Sequence, residues 1–179
     1  MLQNISDQSK FAAATNQAKY EFFVDFIMEN KDKFYRLAFC YAKTSDGAMD
    51  IVQEAIAKAL KNIGSLREPA YIKTWFYRIV VNESLQYLRS NKKLVAVEDV
   101  FATNDTDFEG EDNLSCTKLD LYKAISNLTP KLKTVIVLRY FEDCKIQEIA
   151  KITNTNENTV KSRLRLALEQ LQKCYKKEV

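Results

Sequence analysis

The stretch from Gln147 to Leu164 constrains this chain most, because it reads as two short helices joined by a tight polar turn. Ile146, Ile149 and Ala150 recur at helical spacing. The period then breaks at Thr153-Asn154-Thr155-Asn156, residue types that accept a left-handed conformation and cap helices. Asn156 is the expected N-cap of the second helix. At about 100° per residue, Val160, Leu164, Ala167, Leu168 and Leu171 form one apolar stripe that should face the protein. Asn158, Ser162, Arg165, Leu166 and Glu169 fall opposite, with Lys161 on the flank. A helix with such an outer face fits the major groove and can offer donors to base edges, so the pattern predicts a helix-turn-helix on duplex DNA. The alternative reading is a solvated amphipathic helix.

Composition bounds what surrounds this motif. The chain has 179 residues, enough for one average domain or two small ones with thin cores. It contains no His, which removes imidazole acid–base catalysis, a Ser–His dyad and most zinc sites. With 3 glycines no phosphate-cradling loop can be built. The expectation is a protein that is not an enzyme, with no catalytic residues, no cofactor, no metal and no small-molecule substrate. Cys40, Cys116, Cys144 and Cys174 lack paired ligand spacing and read as reduced thiols. No apolar run approaches the ~20 residues that span a bilayer, and no signal pattern opens the chain, so a cytoplasmic location is expected.

Charge divides the chain. Residues 1–94 carry 14 Lys and Arg against 10 Asp and Glu, residues 95–117 carry none against 7, and residues 118–179 carry 13 against 7. The three nets are +4, −7 and +6, in accord with the overall +3. The middle segment has little apolar surface to bury and reads as a flexible acidic linker, either a plain tether or an occupant of a basic channel. The flanking parts read as two small all-α domains, 20–94 and 118–179, preceded by an extension, 1–19, of unassigned role. Pro69 and Pro130 are the two prolines, and neither Asn-Gly hairpin signals nor period-two alternation occurs. Helices are expected around Tyr20–Glu29, Lys33–Lys43, Ala48–Ile63 and Tyr71–Ser90. A further one starts at Thr129-Pro130, with the Thr hydroxyl as cap, carries Leu132, Val135 and Ile136 on one face, and breaks at Glu142-Asp143-Cys144.

Two more clusters lie in the first domain. Asp50, Gln53 and Glu54, at i, i+3 and i+4, make one polar patch on a helix whose Ile51, Ala55 and Ile56 turn inward. Nothing in the sequence would desolvate or split these carboxylates for acid–base work, so the patch reads as a docking or solvated face. The run Ala70–Lys93 sets Lys73, Arg78, Arg89, Lys92 and Lys93 among Tyr71, Trp75, Phe76, Tyr77 and Tyr87. Arg78, Asn82 and Arg89 share a narrow arc suited to a line of phosphates, while nearby aromatics can receive unstacked bases. Trp75, Phe76 and Ile79 are expected to be core.

The order of these motifs resembles a known family. Phe34-Tyr-Arg-Leu-Ala, Asp50-Ile-Val-Gln-Glu-Ala-Ile, Trp75-Phe-Tyr-Arg-Ile-Val-Val-Asn, Leu128-Thr-Pro with Val137-Leu-Arg-Tyr-Phe-Glu, and Glu148-Ile-Ala with Thr159-Val-Lys-Ser-Arg-Leu are similar to the extracytoplasmic function (ECF, group IV) sigma factors of bacterial RNA polymerase, within the sigma-70 family. The resemblance spans about residues 20–173. Phe34-Tyr-Arg-Leu-Ala-Phe and Asp50-Ile-Val-Gln-Glu place it nearest the sigma V branch of Gram-positive bacteria.

The resemblance implies roles. Asp50, Gln53 and Glu54 would dock on the β′ clamp helices of core polymerase, with the β flap as a second contact. The loop Leu66–Ala70 would receive a flipped base of the minus-10 element, and Arg67, Lys73, Arg78, Asn82 and Arg89 would hold that strand. Asn158, Thr159, Lys161, Ser162, Arg163, Arg165 and Leu166 would meet the minus-35 element, while the linker would run through the RNA exit channel. An anti-sigma factor, often membrane-anchored, would hold the protein inactive at the inner face of the membrane until envelope stress, such as lysozyme in the sigma V branch. Two departures stand out. Leu166-Ala167-Leu168 replaces the usual basic Arg-Ala-Arg continuation, which leaves Leu166 exposed, and Val81 replaces a frequent Arg. The rival readings are a dimeric helix-turn-helix regulator on operator DNA, which would need a dimerisation face, and a helical protein-interaction adaptor, which would not need Lys161 or Arg165.

Overall fold

The computed structural model describes residues 16–95, 124, 125 and 127–177. Its helices are α1 (Asn16–Ala42), α2 (Ser45–Lys61), α3 (Ile72–Val95), α4 (Pro130–Tyr140), α5 (Ile146–Thr153) and α6 (Glu157–Lys177), with 3₁₀ turns at Ile63–Ser65 and Pro69–Tyr71. No strand occurs among the described residues. The all-α expectation therefore holds. The acidic segment 96–117, residues 1–15 and Cys116 lie outside the described residues.

Helices α1, α2 and α3 pack mutually around an aromatic centre. Phe34 is fully buried, with its ring 4.7 Å from Phe76 and 5.2 Å from Tyr77 in edge-on contacts, and Phe23 meets Phe76 at 5.3 Å. Such pairs add to the area term of burial. The two helices expected over 20–43 are one. Nothing between Glu29 and Lys33 forces a break, and the Asn30 side chain, which could have ended the helix, donates instead to Phe26 O at 2.9 Å along it. Thr44 starts α2 by accepting Gly47 N–H at 3.2 Å. Gly47 makes room for Tyr87 of α3, since a Cβ would sit 2.3 Å from its hydroxyl and push the ring aside. Phe76 is core as expected, whereas Trp75 and Ile79 pack half-buried against its edge.

The C-terminal unit folds α4, α5 and α6 together. Proline at the first turn starts α4, but the Thr129 side chain makes no cap hydrogen bond, so the expected hydroxyl cap is replaced by the backbone, with Leu132 and Lys133 N–H reaching Thr129 O. Residues Leu132 to Leu138 are buried in succession, including Lys133 and Thr134. One apolar face was expected. The helix is enclosed on more sides because α1 covers the side that α6 leaves open.

The two units share an interface that periodicity does not announce. α3 lies along α5, α1 touches α4, and the buried apolar residues form one continuous cluster across the chain. Among the described residues no helix is long and apolar enough to cross a membrane, and no group of His, Cys, Asp and Glu is placed to hold a metal. Cys40 and Cys144 are free and buried, and burial pushes both thiols up to about 11.

Candidate nucleic-acid and polymerase interfaces

The turn between α5 and α6 is built as the residue types require. Glu148 accepts the Lys145 N–H at 2.6 Å, closing the start of α5. Asn154 ends it in the left-handed region (φ 51°, ψ 49°), and Thr155 N–H returns to Ala150 O at 2.9 Å. Asn156 then caps α6 through a 2.7 Å bond from Thr159 N–H to its side-chain oxygen. Glu157 in the first turn suits the positive end of the helix dipole.

On α6, Val160, Leu164, Ala167 and Leu171 are buried, but Leu168 is 44% exposed. Its expected inward position fails because it lies about 70° from the stripe's centre line at 100° per residue. Asn158, Lys161, Ser162, Arg165 and Leu166 are all exposed, Leu166 at 46%. This face carries little that competes with a ligand. Ser162 donates along the helix to Asn158 O, and Arg165 Nε stands 3.9 Å from Glu169 with both side chains exposed, a weak pair. Thr159 and Arg163 are half-buried. Arg163 lies about 70° from the stripe's centre line, on the side away from Leu168, and lines a cleft of about 270 Å³ between the units, opposite Asn82 and Val81 of α3.

On α3, Arg78, Asn82 and Arg89 are exposed along one arc, and Arg67 is exposed in the preceding loop. Lys73 does not join them. It lies about 140° away around the helix and donates to Glu142 O of the other unit at 3.1 Å. Leu66 is buried, anchoring the loop 66–70, while Tyr71 at its end is 50% exposed and receives the Lys151 ammonium 5.4 Å above its ring. Val81, where the resemblance led to an arginine, is buried at the unit interface.

Asp50, Gln53 and Glu54 are exposed and open onto a concavity of about 530 Å³ between α2 and α3, floored by Ile51 and Tyr87. Lys58 spans its rim, hydrogen-bonded to Glu83 and 3.6 Å from Glu54. The hydrogen bond to Glu83 is the main reason the Lys58 ammonium is held above its usual range.

Sequence reasoning passed over the polar groups at the unit interface. Glu142, read as a helix breaker and as the end of one family motif but given no contact, is 4% exposed and accepts the Tyr77 hydroxyl. Burial raises its carboxyl above the usual range. Lys133 donates to Cys40 O at 2.7 Å with its ammonium 5.6 Å from the Tyr41 ring centre, and burial lowers it to about 8. The Tyr41 hydroxyl bonds Thr134. The sequence carried little signal for this, since Lys133 and Thr134 stand just before the apolar run Val135–Leu138 rather than within it.

A fold of two helical units, one carrying a capped helix-turn-helix with a free polar face and the other an exposed acidic patch beside a basic arc, defines a DNA-binding protein with a second, protein-directed surface. The family models described as "Sigma-70 region 2" and "Sigma-70, region 4" match residues 26–94 and 118–171. The chain is 46% identical over 144 residues to RNA polymerase sigma factor SigV of Bacillus subtilis (strain 168), covering 80% of this chain and 84% of that protein. It is 31% identical over 163 residues to the ECF RNA polymerase sigma factor SigW of the same organism, covering 84% and 87%. In structure it is similar to the sigma factor RpoE of Bartonella quintana, solved in complex with the anti-sigma factor NepR, with a TM-score of 0.67 at 26% identity, covering 85% of this chain and 97% of that one. The chain belongs to the sigma-70 family, as an RNA polymerase sigma factor of ECF type. That membership decides against the operator-binding regulator and the adaptor.

Proposed function

We propose that this chain directs core RNA polymerase to promoters by dividing the work between its units. The N-terminal unit, over about 20–94, docks on the β′ clamp helices through Asp50, Gln53 and Glu54 and holds the melted minus-10 strand with Arg67, Arg78, Asn82 and Arg89. Lys73 adds charge to that strand once the units part. The C-terminal unit, over about 118–179, reads minus-35 duplex with Asn158, Thr159, Lys161, Ser162, Arg163, Arg165 and Leu166. Segment 95–117 tethers them, and the β flap contacts the second unit. The chain acts without catalysis, in the cytoplasm, and an anti-sigma factor restrains it, held at the membrane where that factor is anchored.

The observation that carries this reading is the outer face of α6, where a cap and a left-handed turn leave Asn158, Lys161, Ser162, Arg165 and Leu166 exposed together. Such a face supplies both phosphate contacts and base-edge donors. The test is transcription by core polymerase with and without the purified chain, with start sites mapped genome-wide. Two shared elements upstream of the new start sites are expected; start sites with no common sequence would defeat the reading.

A further inference from the structure

Of the α6 residues placed at the minus-35 element, Leu166 has the side chain that can neither donate nor accept a hydrogen bond. It is exposed, and it stands outside the apolar cluster of the described residues. Its neighbours on the helix surface, three and four positions away, are Ser162, Arg163, Glu169 and Gln170, and all of them are polar. Leu168, the other exposed leucine of α6, points about 160° away around the helix. The two therefore share no patch of the kind that docks a protein. Leu166 is an isolated apolar spot within a hydrophilic face.

In water a single exposed leucine costs little. In a groove the balance changes. A helix seated there loses water from its outer face, and a leucine then meets either a polar edge, which is desolvated without gaining a bond, or an apolar one. The major-groove edges of the base pairs offer one prominent apolar group, the C5-methyl of thymine. The position of Leu166 suits a base better than a phosphate. The line opposite the apolar stripe is the part of α6 that goes deepest into a groove, and Arg165 and Leu166 lie about 50° to either side of it, whereas Lys161 lies about 90° from it on the flank. Arg165 and Leu166 are thus both turned towards base edges, on opposite sides of the helix midline, and so towards different bases.

We propose that Leu166 sets specificity at one A·T pair of the minus-35 element by packing on the C5-methyl of its thymine. The inference rests on the reading that α6 enters minus-35 duplex. Its test uses the full chain with core polymerase on a promoter taken from the mapped start sites. Each minus-35 thymine, on either strand, is replaced singly by deoxyuridine, which removes the methyl and keeps every hydrogen-bonding group. One replacement should weaken binding by the parent about fourfold, the worth of one buried methyl, and the others should matter less. Leu166→Ala should lose at least as much on the unmodified promoter and little further on that deoxyuridine promoter, so that the two changes are not additive. Four results overturn the inference: no deoxyuridine position that stands out, Leu166→Ala losses that add in full to those of deoxyuridine, a Leu166→Ala defect in binding core polymerase without DNA, or a minus-35 element with no A·T pair. In each of these the promoter reading stands as long as the parent still discriminates among minus-35 sequences. A parent indifferent to the whole minus-35 sequence would instead sink the promoter reading, and the Leu166 assignment with it.

Discussion

Helices α3 and α6 both carry an arc of polar and basic residues, yet they occupy that arc differently. On α6 the apolar stripe is buried within its own unit and the opposite face is exposed from Asn158 to Lys173. α3 is buried on two sides, by α1 and α2 on one and by the C-terminal unit on the other, so that Arg78, Asn82 and Arg89 keep a narrow exposed strip while Lys73 and Val81 turn to the interface. A helix packed by one neighbour shows its periodicity directly. A helix packed by two shows it only after both neighbours are known.

The hardest test of that difference removes what holds α3 and nothing that holds α6. Phe34→Ala deletes a fully buried ring packed on Phe76 and Tyr77 and should cost about 3–5 kcal/mol, read in thermal or urea unfolding. At temperatures where the variant is still folded, minus-35 duplex binding should survive. Its loss there would show that α6 depends on the N-terminal packing after all.

Next in size comes the free face. Arg165→Ala should cost about 1–3 kcal/mol and relax preference at one minus-35 position, because its fork suits guanine. Lys161→Ala should weaken all sequences alike and lower the salt slope by about one unit. Titration of the full chain against a minus-35 library at several salt concentrations separates the two. Equal, sequence-independent losses would shift base reading to Asn158, Ser162 or Leu166.

The interface has its own pH signature. Lys133 is held at about 8 when packed and returns to the ordinary lysine range when exposed. Its desolvation therefore opposes packing fully below pH 8, and the opposition fades as pH rises through that window. Lys133→Met should raise Tm by about 2–4 °C at neutral pH, the equivalent of about 1 kcal/mol, and remove this alkaline dependence. Glu142 acts in the other direction, since a carboxyl raised by burial favours packing when it is protonated in acid. An unchanged Tm profile for Lys133→Met would mean that the ammonium is solvated.

On α3, Asn82→Ala with Arg89→Ala should spare the closed promoter complex and impair melting, seen as lost permanganate reactivity at minus-10 thymines. Loss of the one charge lowers a single-strand salt slope by only about 0.7. Smallest is Glu54→Lys, which should slow polymerase association at an exposed rim and cost at most about 1 kcal/mol, with helicity unchanged. Binding equal to the parent in a pull-down removes the docking assignment.

The sequence by itself determined the helical class, the break at Asn154, the Asn156 cap and the exposed faces of α2 and α6, because each follows from residues within a few turns of one another. It misjudged Leu168, whose fate turned on a stripe edge, and it divided α1 at a point where no residue compels a break. The role of Glu142 was beyond it. Local chemistry marks that residue as a helix end, and only the approach of α1 and α3, more than sixty residues earlier in the chain, turns a surface carboxylate into a buried one. Lys73 and Arg163 moved from DNA arcs towards the interface for the same reason. Periodicity fixes which side of a helix is apolar, but which neighbour covers the remaining sides is decided by long-range packing.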